Sequence, residues 1–194
     1  MDDRLPLTLH PPERYALSDE QFYELCAANR DLRLERNANG EIVIMPPTGG
    51  ETGRRNTSII FQLELWNRQT GLGVVFESST GFRLPNGANR SPDAAWIPRA
   101  TWEGLSEGER EGFLPLCPAF VVELRSRTDR REVLQAKLVE YIENGAQLGW
   151  LVDPMLRQVA VYVPGAAVAV LENPATVSAD AVLPGFVLAL DEIF

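Results

Sequence analysis

The sequence is short of the side chains on which many hydrolases depend. Histidine occurs once, as His10, and cysteine twice, as Cys26 and Cys117. A Ser-His-Asp triad, a Cys-His dyad and a multi-histidine zinc site therefore lack their imidazoles, unless His10 folds inward. The cysteines match no metal-ligand spacing, and we expect them to be reduced and buried rather than joined in a disulfide. Catalysis has to rely on carboxylates, Lys, Arg, Ser or Tyr.

Phosphate loops, membrane spans and excess basic charge are also missing. The glycine-rich stretch PTGGETGRRN has neither Walker nor GxGxxG spacing. No apolar run approaches the roughly eighteen residues that cross a bilayer, and the start MDDRLPLTLH lacks the apolar segment of a signal peptide. These features predict a soluble cytoplasmic protein. The net charge of −9 argues mildly against tight nonspecific DNA binding, although an acidic site can recruit a divalent cation.

Three stretches have the patterns of helices. ALSDEQFYELCAANR predicts a helix with a capping box formed by Ser18 and Gln21. A second helix is predicted for roughly residues 51–69, ending at Gly71. TDRREVLQAKLVEYIENG predicts a third, with Thr128 as its N-cap and Gly145 as its stop.

The strand patterns complete a mixed α/β domain of the α+β kind. LRLERNANGEIVIMPP predicts a hairpin that turns at Asn39-Gly40, and AFVVELRS predicts a central strand. LGWLVDP, the pair QVAVYVPG and AAVAVLEN, and the tail LPGFVLALDEIF add further strands or apolar segments. We therefore predict one domain over residues 1–194, with residues 1–17 extended and a central mixed sheet flanked by helices and by additional N- and C-terminal strands. The apolar edge strands near the C-terminus are compatible with a homodimer.

Two acidic residues occupy strand positions that normally exclude them. Asp93 follows Pro92 at the start of the predicted strand DAAWIP, and Glu123 interrupts the apolar strand AFVVELRS. Because strand side chains alternate, Glu123 and Arg125 share one face. One explanation is a structural ion pair. The other is that Asp93 and Glu123 together hold a hard cation such as Mg²⁺, which takes one or two carboxylates.

A lysine on the third predicted helix adds to this pattern. Lys137 projects on the apolar side of the helical wheel, between Val133 and Tyr141, whereas Glu140 projects on the polar side. A lysine that faces a sheet either extends its ammonium to solvent or finds an anionic partner. The presence of Asp93 and Glu123 favours the anionic partner.

The ordered set of motifs resembles a known nuclease family. Pro-Asp before a strand, followed by an apolar strand with Glu-x-Arg in place of Glu-x-Lys, is similar to the PD-(D/E)xK restriction-endonuclease-like proteins. The pieces NGEIVIMPPTGGETGRRN, FESSTGFRLPNGANRSPDAAWI, PLCPAFVVELRSRTDRREVLQAKLVEYIENGAQLGWLVDP and LPGFVLAL resemble more closely the Uma2 (Uma-two) family of endonucleases. They span about residues 38–190. The resemblance implies a restriction-endonuclease-like core.

The resemblance also implies roles for particular residues. Asp93 and Glu123 would be ligands of Mg²⁺ or Mn²⁺, and Lys137 would take the catalytic place of the strand lysine. Arg125 stands at that strand position and could clamp a phosphate, but it is a poor base. Glu51, at the start of the second helix, is a candidate further ligand, with Glu64 a weaker one. The helix dipole alone would equally explain an acid at Glu51.

The implied activity is metal-dependent hydrolysis of DNA phosphodiester bonds. The same residues leave two alternatives open. The chain could be a nuclease-like module that binds nucleic acid without turnover, or an interaction protein in which Asp93, Glu123 and Lys137 form a buried salt-bridge network. Arg54 and Arg55 are further candidates for contacts with the phosphate backbone.

Overall fold

The computed structural model describes residues 6–194. It has an N-terminal strand β1 (Leu7–Leu9), a 3-10 turn (Glu13–Tyr15) and five α-helices: α1 (Asp19–Ala28), α2 (Gly50–Thr70), α3 (Arg99–Gly104), α4 (Glu107–Glu111) and α5 (Arg131–Glu143). The remaining strands are β2 (Arg33–Arg36), β3 (Ile42–Met45), β4 (Gly73–Glu77), β5 (Phe82–Arg83), β6 (Asn89–Arg90), β7 (Ala94–Pro98), β8 (Phe120–Leu124), β9 (Leu148–Asp153), β10 (Gln158–Tyr162), β11 (Ala169–Glu172), β12 (Thr176–Ser178) and β13 (Val187–Ala189).

A six-stranded mixed sheet forms the centre of the fold. Its order is β11-β10-β9-β8-β7-β4, and β8 runs parallel to β9 while the other neighbours are antiparallel. The five residues of β8 are all buried, as expected for an apolar strand covered on both faces. The predictions of a central mixed sheet and of AFVVELRS as its central strand are confirmed.

Helices α2 and α5 cover opposite faces of this sheet. Phe120, Val122 and Leu124 pack in the same cluster as Ile59 and Leu63 of α2 and the apolar C-terminal tail. The alternate residue Val121 packs with Leu134, Leu138 and Tyr141 of α5. Because strand side chains alternate, Glu123 points to the α5 side. The strand thus places its one carboxylate beneath the helix that carries Lys137.

A second sheet closes the α5 side of the molecule. It has the order β1-β3-β2-β6-β5, and its predicted hairpin pairs Arg36 with Ile42 across a turn in which Gly40 has φ +86°. Only glycine adopts this conformation without strain. β12 and β13 form a separate pair that positions the buried Phe186 and Leu188. The predicted hairpin is confirmed.

Helix boundaries agree with the sequence predictions except at α5. The Ser18–Gln21 capping box of α1 is present, and α2 ends at Gly71 in the left-handed conformation. The N-cap of α5 is Arg130, without a side-chain capping bond, so the prediction of Thr128 was wrong. Thr128 instead lies near the Ser126 hydroxyl at 3.1 Å.

Three further expectations can be compared with the described residues. The N-terminal segment is extended at β1, which pairs with β3, but it forms a 3-10 turn at Glu13–Tyr15. Both cysteines are free thiols and only half-buried. His10 remains exposed beside Glu41. Residues 1–5 of the predicted extended segment lie outside the described range.

Exposed edges and helix lengths bear on assembly and membrane association. All four residues of β11, at one edge of the central sheet, are exposed. The homodimer stays a prediction.

Within residues 6–194, no helix combines the length and the apolar character needed to cross a bilayer.

Candidate active site

Asp93 directly precedes β7, and Glu123 lies on the neighbouring strand β8. Ala94 of β7 pairs with Val122 of β8, so the next step of the antiparallel register sets Asp93 against Glu123. The Leu124 N–H donates to Asp93 Oδ2 at 2.8 Å, and the Asn56 side chain donates to the Asp93 backbone carbonyl at 3.1 Å. Asp93 is therefore fixed against β8 on one side and against α2 on the other.

Lys137 binds two carboxylates at once. Its Nζ lies 3.0 Å from Glu123 Oε1 and 3.0 Å from Glu35 Oε1. The Tyr141 hydroxyl, one turn further along α5, donates to the same Glu123 oxygen at 3.1 Å. Lys137 thus found anionic partners rather than extending to solvent. We call Asp93, Glu123, Glu35 and Lys137 the Lys137 cluster.

Glu35 is held in the cluster by further charged groups. Arg90 Nη1 lies 3.3 Å from Glu35 Oε2, and the Ser91 N–H donates to Glu35 Oε1 at 3.1 Å. Arg90 Nε also binds Glu140 at 2.6 Å. Glu140, which was predicted on the polar side of α5, therefore pairs with β6 of the second sheet. A ladder of alternating charges links β8, α5, β2 and β6.

The two predicted metal ligands bind protons more tightly than ordinary carboxyls. Burial raises the pKa of Glu123 to about 7; the Lys137 ammonium opposes this rise, while the charges of Asp93 and Glu35 add to it. Burial also raises the pKa of Asp93, against the Leu124 N–H and the charge of Lys137. The positive charges of the protein therefore do not fully compensate the negative charges that Asp93 and Glu123 carry when both are ionised.

Glu35 and Lys137 behave in the opposite way. Burial alone would raise the pKa of Glu35, but the charges of Lys137 and Arg90 bring it below its ordinary value. Burial alone would lower the pKa of Lys137, yet the carboxylates of Glu123 and Glu35 raise it. The charges of this pair therefore favour the ammonium form of Lys137 and the carboxylate form of Glu35.

The donor set fits a hard divalent cation. Within residues 6–194, Asp93 Oδ1 and Glu123 Oε2 accept no hydrogen bond from the protein. The pair carries more negative charge than Lys137 neutralises, because Lys137 is shared with Glu35. Mg²⁺ needs only one or two carboxylates beside water and phosphate oxygens. No group of three or more His, Cys, Asp or Glu side chains in the described part of the chain is arranged to hold a metal.

Comparison with known proteins assigns the chain to a family. The family model Uma2, described as "Putative restriction endonuclease", matches residues 19–191. The chain belongs to the Uma2 family. A solved structure, of a putative nuclease belonging to DUF820 from Anabaena variabilis ATCC 29413, has a similar fold at 17% identity, with a TM-score of 0.72 over 83% of this chain and 89% of that one. Comparison with curated proteins gave no match.

Two predicted residues of this Uma2 chain lie apart from the Lys137 cluster. Arg125 Nη1 binds Asp153 at 2.8 Å, and its Nε donates to the Asp129 carbonyl at 3.3 Å. Glu51 is 59% exposed and pairs with Arg54 at 2.9 Å and Arg55 at 3.3 Å. A contact of Arg125 with phosphate, or of Glu51 with a metal, would require these pairs to open. Their predicted roles remain predictions.

The remaining candidates on α2 are engaged in exposed pairs. Glu64 binds Arg68 at 2.7 Å, and Arg54 also reaches Glu192 at 3.2 Å. The helix instead contributes Asn56, whose amide binds the Asp93 backbone. Sequence analysis did not single out this residue, because one asparagine on a helix has no distinctive spacing.

Glu35 and Arg90 are the other residues that sequence analysis missed. Glu35 lies 102 positions before Lys137 and is a polar residue in an alternating hairpin. Only its need for a countercharge could have indicated Glu35, because a charged residue that is buried on a strand requires an oppositely charged partner. That partner becomes visible only when β2 and α5 are placed together.

Proposed function

We propose that the chain is a metal-dependent endonuclease that hydrolyses DNA phosphodiester bonds. The observation that carries the proposal is the placement of Asp93 opposite Glu123, with the Lys137 ammonium 3.0 Å from Glu123. Membership in a family described as "Putative restriction endonuclease" supports a nuclease. The fold similarity to a protein described as a putative nuclease is consistent with it.

Asp93 and Glu123 are the residues that would hold Mg²⁺ or Mn²⁺. When bound, the ion would polarise the phosphate and lower the pKa of a water molecule. The Leu124 N–H, at 2.8 Å from Asp93, and the Tyr141 hydroxyl, at 3.1 Å from Glu123, fix the two carboxylates before the substrate arrives. Such prior ordering keeps reorganisation small during the reaction.

Lys137 acts as a fixed positive charge rather than as a general base. Its raised pKa keeps the ammonium protonated, so it can donate hydrogen bonds to a phosphate oxygen or orient a water molecule. A preorganised donor of this kind stabilises the charge that develops in the transition state. Glu35 keeps Lys137 near the site when Glu123 is engaged elsewhere, because it binds the same ammonium.

Plasmid nicking tests the proposal. Wild type should convert supercoiled plasmid to the nicked form with Mg²⁺ or Mn²⁺ but not with EDTA, and Asp93→Asn should abolish nicking. Glu103→Gln, a change of one exposed carboxylate on α3, should nick like wild type. Absence of metal-dependent nicking by the folded wild type on plasmid and on single-stranded DNA would refute the proposal. Equal nicking by Asp93→Asn would place the activity elsewhere.

A further inference from the structure

A short segment that connects two elements of the Lys137 cluster is rich in arginine. Residues 125–131, RSRTDRR, hold four arginines in seven positions and connect β8 to α5. We call them the arginine turn. The turn begins one residue after Leu124, whose N–H binds Asp93, and ends where α5 begins.

The turn is held rigidly by its own hydrogen bonds. The Ser126 N–H donates to Asp129 Oδ2 at 2.7 Å, and the Arg125 guanidinium binds both the Asp129 carbonyl and Asp153. Arg131 donates to Gln158 at 3.0 Å. Asp129 is thus turned inward, and Arg125 and Arg131 are tied to the sheet.

Arg127 and Arg130 are the arginines that remain available. Both are exposed. Within residues 6–194, neither side chain makes an ion pair, a hydrogen bond or a cation–π contact, whereas the arginines of α2 pair with Glu51, Glu64 or Glu192. Arg130 is the N-cap of α5, with extended backbone and no capping role for its side chain. Two guanidinium groups without partners among the described residues thus lie on the connection between β8, which carries Glu123, and α5, which carries Lys137.

The distance of Arg130 from Lys137 corresponds to a few nucleotides. Arg130 lies seven residues before Lys137, roughly 10 Å along a helix that rises 1.5 Å per residue. Phosphates on one DNA strand are spaced about 3.4 Å apart along the duplex axis. A phosphate within about three nucleotides of one bound at Lys137 is therefore within reach of Arg130.

We propose that Arg127 and Arg130 bind the DNA phosphate backbone beside the scissile phosphate and so hold the substrate in the active site. This inference rests on the proposed function. It explains how an acidic protein retains a polyanion: the contacts are local and fall on two exposed arginines of the arginine turn, which make no ion pair within residues 6–194. Such contacts position DNA without reading its sequence.

Salt-dependent binding is the test. A fluorescently labelled duplex DNA of about 20 base pairs is titrated by anisotropy in EDTA, which prevents cleavage, at several KCl concentrations. In wild type, log K should fall linearly with log[KCl], with a slope of roughly −0.9 for each phosphate contact. Arg127→Gln/Arg130→Gln should bind more weakly, and its slope should be shallower by roughly 0.9 per arginine removed.

Arg68→Gln is the matched control. It removes the same type of charge from an exposed position, 77% accessible, near the far end of α2. Binding by this variant should keep the wild-type slope. Melting temperatures of all variants should agree, because the substituted side chains are on the surface.

The outcomes separate the inference from the proposed function. A wild-type slope in the double variant, or an equal change in Arg68→Gln, would overturn the inference while leaving nicking intact. An arginine-dependent slope in a protein that does not nick would support the backbone contact and refute hydrolysis. Failure of wild type to bind the duplex even at low salt would overturn the inference regardless of the nicking result.

Discussion

At the scale of single residues, the Lys137 cluster combines carboxyl groups whose pKa values are shifted in opposite directions. Glu123 and Asp93 have raised pKa values, whereas Glu35 is stabilised as a carboxylate by Lys137 and Arg90. The cluster therefore separates into a structural half, Glu35 with Arg90, and a half whose negative charge lacks compensation. The second half is the one that we propose binds the metal.

The raised pKa of Glu123 predicts how the stability of the folded protein changes with pH. The carboxyl is protonated in both folded and unfolded chains well below pH 4.5, and it is ionised in both above about pH 7, where the folded state bears the penalty of a poorly compensated buried charge. This penalty grows as the pH rises from 4.5 to about 7. We expect Glu123→Gln to melt at a higher temperature than wild type at alkaline pH, with the difference vanishing in acid.

Calorimetric melting scans at several pH values measure this difference. Glu103→Gln, which changes one exposed carboxylate, should follow wild type throughout. A Glu123→Gln protein that is less stable than wild type at every pH would favour the structural salt-bridge network over a metal site.

Glu35 should have the opposite effect on stability. Glu35→Gln leaves Lys137 with Glu123 alone and deprives Arg90 of a buried partner. Removing one member of a buried ion pair typically destabilises by about 3–5 kcal/mol. We expect a loss of this order in the free energy of unfolding, measured with urea. Glu103→Gln, which changes one exposed carboxylate on α3, should unfold like wild type.

A double-mutant cycle isolates the Glu35–Lys137 contact. Glu35→Gln/Lys137→Met should lose less stability than the two single changes together, because the double variant removes both members of the pair. Coupling of about 0.5–3 kcal/mol is usual for residues in direct contact. Strict additivity would contradict the contact at 3.0 Å.

At the scale of elements, the sequence predicted the parts that local patterns determine. The capping box of α1, the Asn39-Gly40 turn and the end of α2 at Gly71 follow from short-range spacing. Lys137 was placed on the sheet side of α5 by helical periodicity. The Thr128 cap was wrong because Asp129 hydrogen-bonds back to Ser126 and ties residues 126–129 into a turn before α5.

Local sequence patterns could not predict most contacts between distant elements. Asp93 and Glu123 were predicted together, and the β7–β8 register explains their proximity. Glu35 and Arg90 entered the site only through the second sheet, whose packing over α5 has no periodic signature. The register of β2 with β6, which sets Arg36 against Asn89, likewise depends on tertiary packing.

Helix α2 provides a prediction at this scale. Its N-terminal region reaches the site through Asn56, while Glu51 lies at the exposed edge with Arg54 and Arg55. We expect Glu51→Gln to retain nicking and Mn²⁺ affinity within about twofold, since one exposed ion pair contributes little. Isothermal titration calorimetry measures the affinity. A loss comparable with that of Asp93→Asn would make Glu51 a ligand, as the family resemblance implies.

At the scale of the whole molecule, metal binding should increase the stability of the folded protein. An ion that binds only the folded chain stabilises it by about 2.7 kcal/mol when present at about 100 times its Kd. We expect Mn²⁺ to raise the melting temperature of wild type and to leave that of Asp93→Asn unchanged. An equal rise in both proteins would show that Mn²⁺ binds away from Asp93.

The net charge of −9 also acts at this scale. Most of the acidic surface repels DNA, so productive binding depends on local contacts near the site and should weaken steeply with salt. The contacts that we propose lie where β8 ends and α5 begins. The same crossover therefore positions Glu123, Lys137 and the arginine turn.

The central claim is that Lys137 serves catalysis at a metal site formed by Asp93 and Glu123. Its most direct test is single-turnover plasmid nicking by Lys137→Met, combined with Mn²⁺ titration of the same protein. The account predicts that this variant still binds Mn²⁺, since both carboxylates remain, but nicks at least about a hundredfold more slowly than wild type, in line with the removal of one preorganised donor. Nicking at the wild-type rate by Lys137→Met would contradict it.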